Sequence, residues 1–371
     1  MRKLKLFLTT ALTALALAVL PASAPVMAEE AEVTSIKDAF AEHGMKAGTC
    51  LSPFMISNPQ FSDLIAEQFN SVTMENAMKP DYIFDKNASI TAGYPVVEFN
   101  QDALNMMEWA KEHDFALRGH TLVWYSQTPD WIFHEEFNSA KPLVTADVML
   151  DRMDHYISQI FSILEEKGYA DLFYAYDIVN EGVEDNGSLR ECLWKQTIGD
   201  DYIWYAFYYA NKYAPENIDL YYNDYNEQFK YNGLIKMVET LKDEDGNYLI
   251  DGIGLQGHLY TKDDLNTYFR AMDALAATGL KLQITELDVS LGTWQNIDEA
   301  TEETLGAQKD FYEKLISGIM ERVDSGKVDM EALTFWGFAD FLSWRGDRSP
   351  LLYDKDLAAK PAFYGVIEGA K

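Results

Sequence analysis

The run Leu282-Gln283-Ile284-Thr285-Glu286-Leu287-Asp288 and the run Tyr174-Ala175-Tyr176-Asp177-Ile178-Val179-Asn180-Glu181 share one shape. Each is an apolar stretch that delivers a glutamate at or near its end. Each reads as a buried strand, and most of the strand candidates in this chain are nearly continuously apolar rather than alternating, as expected for parallel strands covered on both faces. Six further runs have the same character: Met45–Cys50, Phe69–Glu75, Ala116–Trp124, Ile218–Asn226, Gly252–His258 and Ala332–Phe338. The intervals between them carry helical periodicity. Met153, Ile157, Ile160 and Leu164 recur at four, three and four before Gly168, a stop signal, and Tyr312, Leu315 and Ile319 repeat the pattern before Val323 and Gly326. Asp102–His113, Tyr202–Tyr213, Asn232–Leu241 and Leu265–Ala277 fill other intervals. Eight strand-then-helix units predict an α/β fold, a single-domain (β/α)8 TIM barrel. A doubly wound sheet is the alternative, but no glycine-rich nucleotide turn follows any strand.

Size and composition agree. The 371 residues suit one large barrel, and 48% hydrophobic residues suffice for its core. Arg2, Lys3 and Lys5 precede an apolar segment, Leu6 to Leu20, with small residues at Ala22-Ser23-Ala24 and Val26-Met27-Ala28. This pattern predicts a signal peptide over residues 1–28, cut after Ala28 because Pro25 disfavours the earlier site, and an exported product. No second long apolar run follows, so no membrane association is expected after cleavage. The formal charge is −30, and loss of the three basic residues makes it more negative still. Nucleic acid, bound through lysines and arginines on phosphate, is excluded as a partner. Two cysteines, Cys50 and Cys192, make no disulfide scaffold and are expected to be free. The six histidines show no metal-binding spacing, so no metal site is expected.

In such a barrel the functional residues sit at the C-terminal ends of the strands. Strand two ends in Glu75 and Asn76, with Lys79 beyond; strand three carries His120 and Trp124, then Gln127. Strand four ends in Asn180-Glu181, strand five in Asn223-Asp224-Tyr225-Asn226, strand six in Gln256-Gly257-His258. Strand seven supplies Glu286 and Asp288, and strand eight Trp336, followed by Asp340 and Trp344. A single strand-end Asn or Asp is commonly a turn or cap. Seven strand ends converging on carboxylates, amides, imidazoles and indoles point to a site instead. Two carboxylates so delivered are what cleavage of a glycosidic bond requires, and the 22 Tyr and 8 Trp supply faces for stacking on sugars.

At these residues the chain resembles glycoside hydrolase family 10, the endo-β-1,4-xylanases. That family's signature is similar to Gly279 through Val289 at every position. Similar motifs occur, in order, at Glu75-Asn76-Ala77-Met78-Lys79, Gly119–Trp124, Asp177–Glu181, Asn223–Asn226, Gln256-Gly257-His258, Phe335-Trp336-Gly337 and Pro350–Asp354. The resemblance covers about residues 35–370. It implies a retaining glycosidase acting on xylan, as a monomer and without cofactor. It implies Glu286 as nucleophile, Glu181 as acid/base, and Asn180 as the amide that binds the sugar 2-hydroxyl. His258 would hydrogen-bond the nucleophile, with Asp288 behind it. Glu75, Asn76, Lys79, His120, Trp124, Gln127, Gln256, Trp336 and Trp344 would line the glycone subsites, and Tyr225 would stack in an aglycone subsite. Trp336 and Trp344 would crowd the hydroxymethyl group that glucose has and xylose lacks. The chain departs from the common pattern at Tyr125, Tyr176 and Ala339, and Asn87–Phe99 reads as an insertion beside the strand-two loop. A barrel glycosidase acting on β-glucan or mannan, and a non-catalytic sugar-binding protein, are the competing readings.

Overall fold

Eight parallel strands close on themselves in chain order: β1 (Lys46–Leu51), β2 (Ser71–Met74), β3 (Ala116–Trp124), β4 (Phe173–Asn180), β5 (Asp219–Asp224), β6 (Gly252–Leu255), β7 (Lys281–Ser290) and β8 (Ala332–Phe335). In this computed structural model, which describes residues 35–371, β8 pairs with both β7 and β1 and so completes the barrel. The segment expected to be a signal peptide, 1–28, lies outside the described residues. Every predicted strand is present, shifted by at most a few residues at its ends. Their burial is nearly unbroken along each strand, which is why most of them show as nearly continuous apolar runs in the sequence, while β7 also buries Gln283, Thr285, Glu286 and Asp288.

Helices pack outside the strands. In the helix Ala146–Glu166, Met149, Met153, Tyr156, Ile157, Ile160 and Leu164 are buried as one stripe, and Gly168 follows it at φ +72. The helix Glu302–Asp324 starts at a reciprocal cap between Thr301 and Thr304, which satisfies two backbone N–H groups that the first turn leaves free. The helix expected from Asn232 starts earlier, at Glu227. The stretch read as an insertion folds into the helix Lys86–Ala92 and a two-residue strand, Val96–Val97, paired antiparallel with Phe84–Asp85.

Strand six was read as one run and is broken in two. After β6 the chain turns at Gly257, φ +75, and resumes as His258–Tyr260, paired with Asp288–Ser290 of β7. Only glycine adopts that backbone freely. The Gly257 N–H donates to Glu227 Oε1 at 3.0 Å, which anchors the turn. On β3, a Cβ on Gly119 would lie 2.3 Å from the Tyr176 ring. The phenol that stands where the family often has an indole therefore packs in the core, fully buried against Phe161 and Phe173. Cys50 and Cys192 are free and buried. Among the described residues no helix is long and apolar enough to cross a membrane.

Candidate active site

The carboxylates of Glu181 and Glu286 leave β4 and β7 at the same end of the barrel and are joined by amides. Asn223, at the end of β5, donates from Nδ2 to Glu286 Oε1 at 2.8 Å and to Asn180 Oδ1 at 3.0 Å. Asn180 in turn donates to Glu181 Oε1 at 3.1 Å. Gln256 donates to the same Glu181 oxygen at 3.0 Å. Thr285 fixes the Asn223 amide by donating to its Oδ1 at 2.6 Å. The backbone at Glu181 is left-handed, φ +56. That conformation is uncommon for a residue with a side chain. It is held by the Glu181 N–H donating to the Asn223 carbonyl at 2.8 Å and by Arg190 Nε donating to the Glu181 carbonyl at 2.7 Å.

The surroundings of Glu286 favour its ionised form. Burial opposes the charge, but the His258 hydrogen bond and the positive charges of His120, His258 and Lys79 outweigh it and bring the pKa down to about 2. His258 Nε2 lies 3.3 Å from Glu286 Oε2 and Nδ1 lies 2.9 Å from Asp288 Oδ2. Asp288 also accepts from Trp344 Nε1 at 3.0 Å and from Arg345 at 3.3 Å. Burial works against protonated His258, yet Asp288 and then Glu286 raise its pKa to about 9.

Both shifts stabilise the fold, and they are lost in opposite pH directions. The His258 pKa is raised from 6.5 to about 9, so its contribution is complete below about pH 6.5 and is lost as pH rises through about 9. The Glu286 pKa is depressed from 4.5 to about 2, so its contribution is present above about pH 4.5 and lost as pH falls through about 2. The thermal midpoint of His258→Gln should therefore lie furthest below that of the wild type near pH 5–6, and the gap should narrow towards pH 10. A gap of unchanged size at pH 10 would mean that His258 contributes by packing alone.

A second cluster, at the ends of β2 and β3, forms one wall. Lys79 donates to Asn76 Oδ1 at 3.2 Å and to Gln127 Oε1 at 2.9 Å, Gln127 donates to Asn76 at 3.1 Å, and Lys79 Nζ lies 4.9 Å above the Trp124 ring. Burial lowers the Lys79 pKa, partly offset by Glu286, Glu75 and Glu181. Glu75 accepts from Ser52 at 2.6 Å. His120 is near both this cluster and Glu286, its ring 6.4 Å from that of Trp124 and its charge acting on the Glu286 carboxylate. Its Nδ1 lies 2.9 Å from Asp177, which also pairs with Arg118 at 2.6 Å, and its ring meets Trp336 edge-on at 5.5 Å. Trp336 is buried, whereas Trp344 is exposed and edge-on to His258 at 5.1 Å.

Every residue expected at the site thus lies at this one end of the barrel. Gln256 was expected to line the glycone side and is bonded to Glu181. Tyr225 accepts from Arg190 at 2.9 Å and has Lys230 beneath its ring at 4.1 Å. The connecting role of Asn223 is not visible in the sequence, where it is one strand-end residue among several. Nor is Arg190 among the expected site residues; its guanidinium stacks on Tyr125 at 4.3 Å. Burial first, then the charge of Glu181, pushes the Tyr125 phenol up to about 12, with Arg190 opposing. The signal for Arg190 was faint, a lone basic residue in an acidic loop. Among the described residues no group of three His, Cys, Asp or Glu side chains could hold a metal ion.

Known proteins are similar to this chain in sequence and in fold. An endo-1,4-beta-xylanase B of Butyrivibrio fibrisolvens is 34% identical over 347 residues, which are 91% of this chain and 53% of that protein. The chain therefore spans about half the length of that relative. An endo-1,4-beta-xylanase A of Halalkalibacterium halodurans is 31% identical over 91% of this chain and 87% of its own length. A solved structure of Clostridium thermocellum endo-1,4-beta-D-xylanase modules complexed with xylohexaose superposes with a TM-score of 0.81 at 32% identity, covering 90% of this chain and 66% of that one. The sequence profile of glycosyl hydrolase family 10 matches residues 35–369, almost the whole described barrel, and the chain belongs to that family.

Proposed function

We propose that the protein is an exported, retaining endo-β-1,4-xylanase that acts as a monomer on xylan and xylo-oligosaccharides. The observation that carries this reading is the pair of glutamates, linked through Asn180 and Asn223, with Glu286 the one held ionised. Ionised Glu286 attacks the anomeric carbon. As the glycosidic C–O bond breaks, Glu181 gives its proton to the leaving oxygen. Once Glu286 is a neutral ester, Glu181 takes a proton from water, which attacks the same carbon and frees Glu286. Asn180 donates to the 2-hydroxyl, a contact that strengthens in the transition state. Because Asn180, Asn223 and Gln256 already fix both carboxylates, little reorganisation is needed at the moment of reaction.

The purified protein should release reducing ends from xylan far faster than from β-glucan or mannan, and the first product should keep the β configuration by NMR. Inverted product would exclude the double displacement. Absence of release from every β-glycan would favour a sugar-binding protein. Trp336 beside His120 and Trp344 beside His258 support the choice of xylan, since indoles at these positions would crowd a hydroxymethyl group. Trp344→Ala should raise the ratio of β-glucan to xylan hydrolysis by about tenfold, the value of roughly one steric clash; an unchanged ratio would place the discrimination elsewhere. Export rests on the basic, apolar and small-residue order of residues 1–28. An exported product whose mass begins at Glu29 is expected, and retention of the first 28 residues would refute it.

A further inference from the structure

Arg348 departs from the charge pattern of this acidic chain. It stands on the short turn Gly346–Arg348 after β8, and among the described residues no carboxylate lies within 4.0 Å of its guanidinium. One of its five donor N–H groups is used within the protein, towards the Tyr260 hydroxyl at 3.1 Å. Its guanidinium lies over two rings, Tyr260 at 5.7 Å and Trp294 at 5.6 Å. Trp294 is 69% exposed, so core packing does not account for it.

The platform is held from behind. Trp294 sits at the tip of a tight loop closed by the bridge between Gly292 and Ile297 and by Thr293 N–H donating to the Asn296 carbonyl at 2.8 Å. Gly292 N–H donates to Thr261 at 2.9 Å, which ties that loop to the end of strand six. The Arg348 carbonyl accepts from Leu291 N–H at 3.0 Å, which ties the third loop to the other two. The group is also continuous with the glutamates. From Glu286 the contacts run through His258 to Trp344, then to Arg345 at 4.5 Å over that indole and 5.2 Å over Tyr260, and then to Trp294 edge-on at 6.4 Å. Arg345 is already neutralised by Asp288. Strand six lies across the barrel from strand two, so this platform is at the opposite end of the mouth from the wall of Asn76, Lys79 and Gln127.

We propose that Trp294, Tyr260 and Arg348 form an outer subsite for a β-1,4-xylan chain that bears a carboxylate substituent. The exposed indole face takes a pyranose ring, and the free guanidinium takes the carboxylate of a uronic acid side group, whose two oxygens match its fork. A neutral xylan uses the indole alone. The inference rests on the xylanase reading of the inner site.

The test compares wild type, Arg348→Gln, Arg348→Lys and Trp294→Ala on three substrates: glucuronic acid-substituted xylan, unsubstituted xylan, and a short neutral xylo-oligosaccharide. Arg348→Gln should lower kcat/KM on the acidic xylan by about five- to tenfold, mostly through KM, as expected for an ionic hydrogen bond weakened by solvent. It should leave the neutral polymer within about twofold, and Arg348→Lys should recover part of the loss. The wild-type preference should shrink with added salt. Trp294→Ala should raise KM on both polymers and spare the short substrate. Equal losses on acidic and neutral polymer, or no loss on either, would overturn the subsite. A wild type inactive on the short neutral substrate would instead overturn the xylanase reading.

Discussion

Glu286→Ala should lower kcat on xylan by about 10⁵-fold, the scale seen when a covalent nucleophile is removed while binding groups remain. Small anions should then substitute for it. In the space left by the carboxylate, azide should attack the anomeric carbon directly and yield an α-glycosyl azide, a single displacement with inversion. The fold should survive, because His258 keeps its bond to Asp288 and the strand keeps its backbone pairing. Circular dichroism and thermal unfolding check that point. Near-wild-type turnover would remove Glu286 from the reaction, and a β-glycosyl azide would show that the two glutamates had been assigned the wrong way round.

Glu181→Ala should behave differently because a proton donor matters only when the leaving group needs a proton. On xylan, kcat should fall by about 10³-fold, within the range for loss of general acid–base catalysis. On an aryl xyloside whose phenol leaves unaided, the first step should be nearly spared. The glycosyl-enzyme should then accumulate, because water lacks its base, and a burst of phenol should precede a slow steady state. Azide needs no base, so it should speed that steady state and give the β-glycosyl product. The outcome that counts against the assignment is an equal loss on xylan and on the activated aryl glycoside. The two variants together thus separate the roles by stereochemistry.

The fold was legible because most barrel strands are covered on both faces and so appear as nearly continuous apolar runs. The break in strand six was not legible. Gly257 looks like any strand-end glycine, and only its bond to Glu227, a residue on another element, shows that the chain must turn there. The hairpin of Phe84–Asp85 and Val96–Val97 escaped for a similar reason, since two-residue strands have no periodicity to read. At the site, the residues delivered by strand ends could be named one by one. Their pairings could not, because Asn223 and Glu286 are 63 positions apart and His120 and Asp177 57 apart. The shared amides and the Arg190 hub follow from which strands are neighbours, and only closure of the barrel settles that.

The left-handed backbone of Glu181 sets proton transfer against robustness. A side chain in that region costs about 1–2 kcal/mol, and glycine avoids the cost. Glu181→Gly also takes an acceptor away from Asn180 and Gln256, which offsets part of that gain, so the inert variant should melt close to the wild type. A library of this protein sorted for heat resistance, with no sugar to cut, should drift away from glutamate at that position. Selection for hydrolysis has to be what retains it.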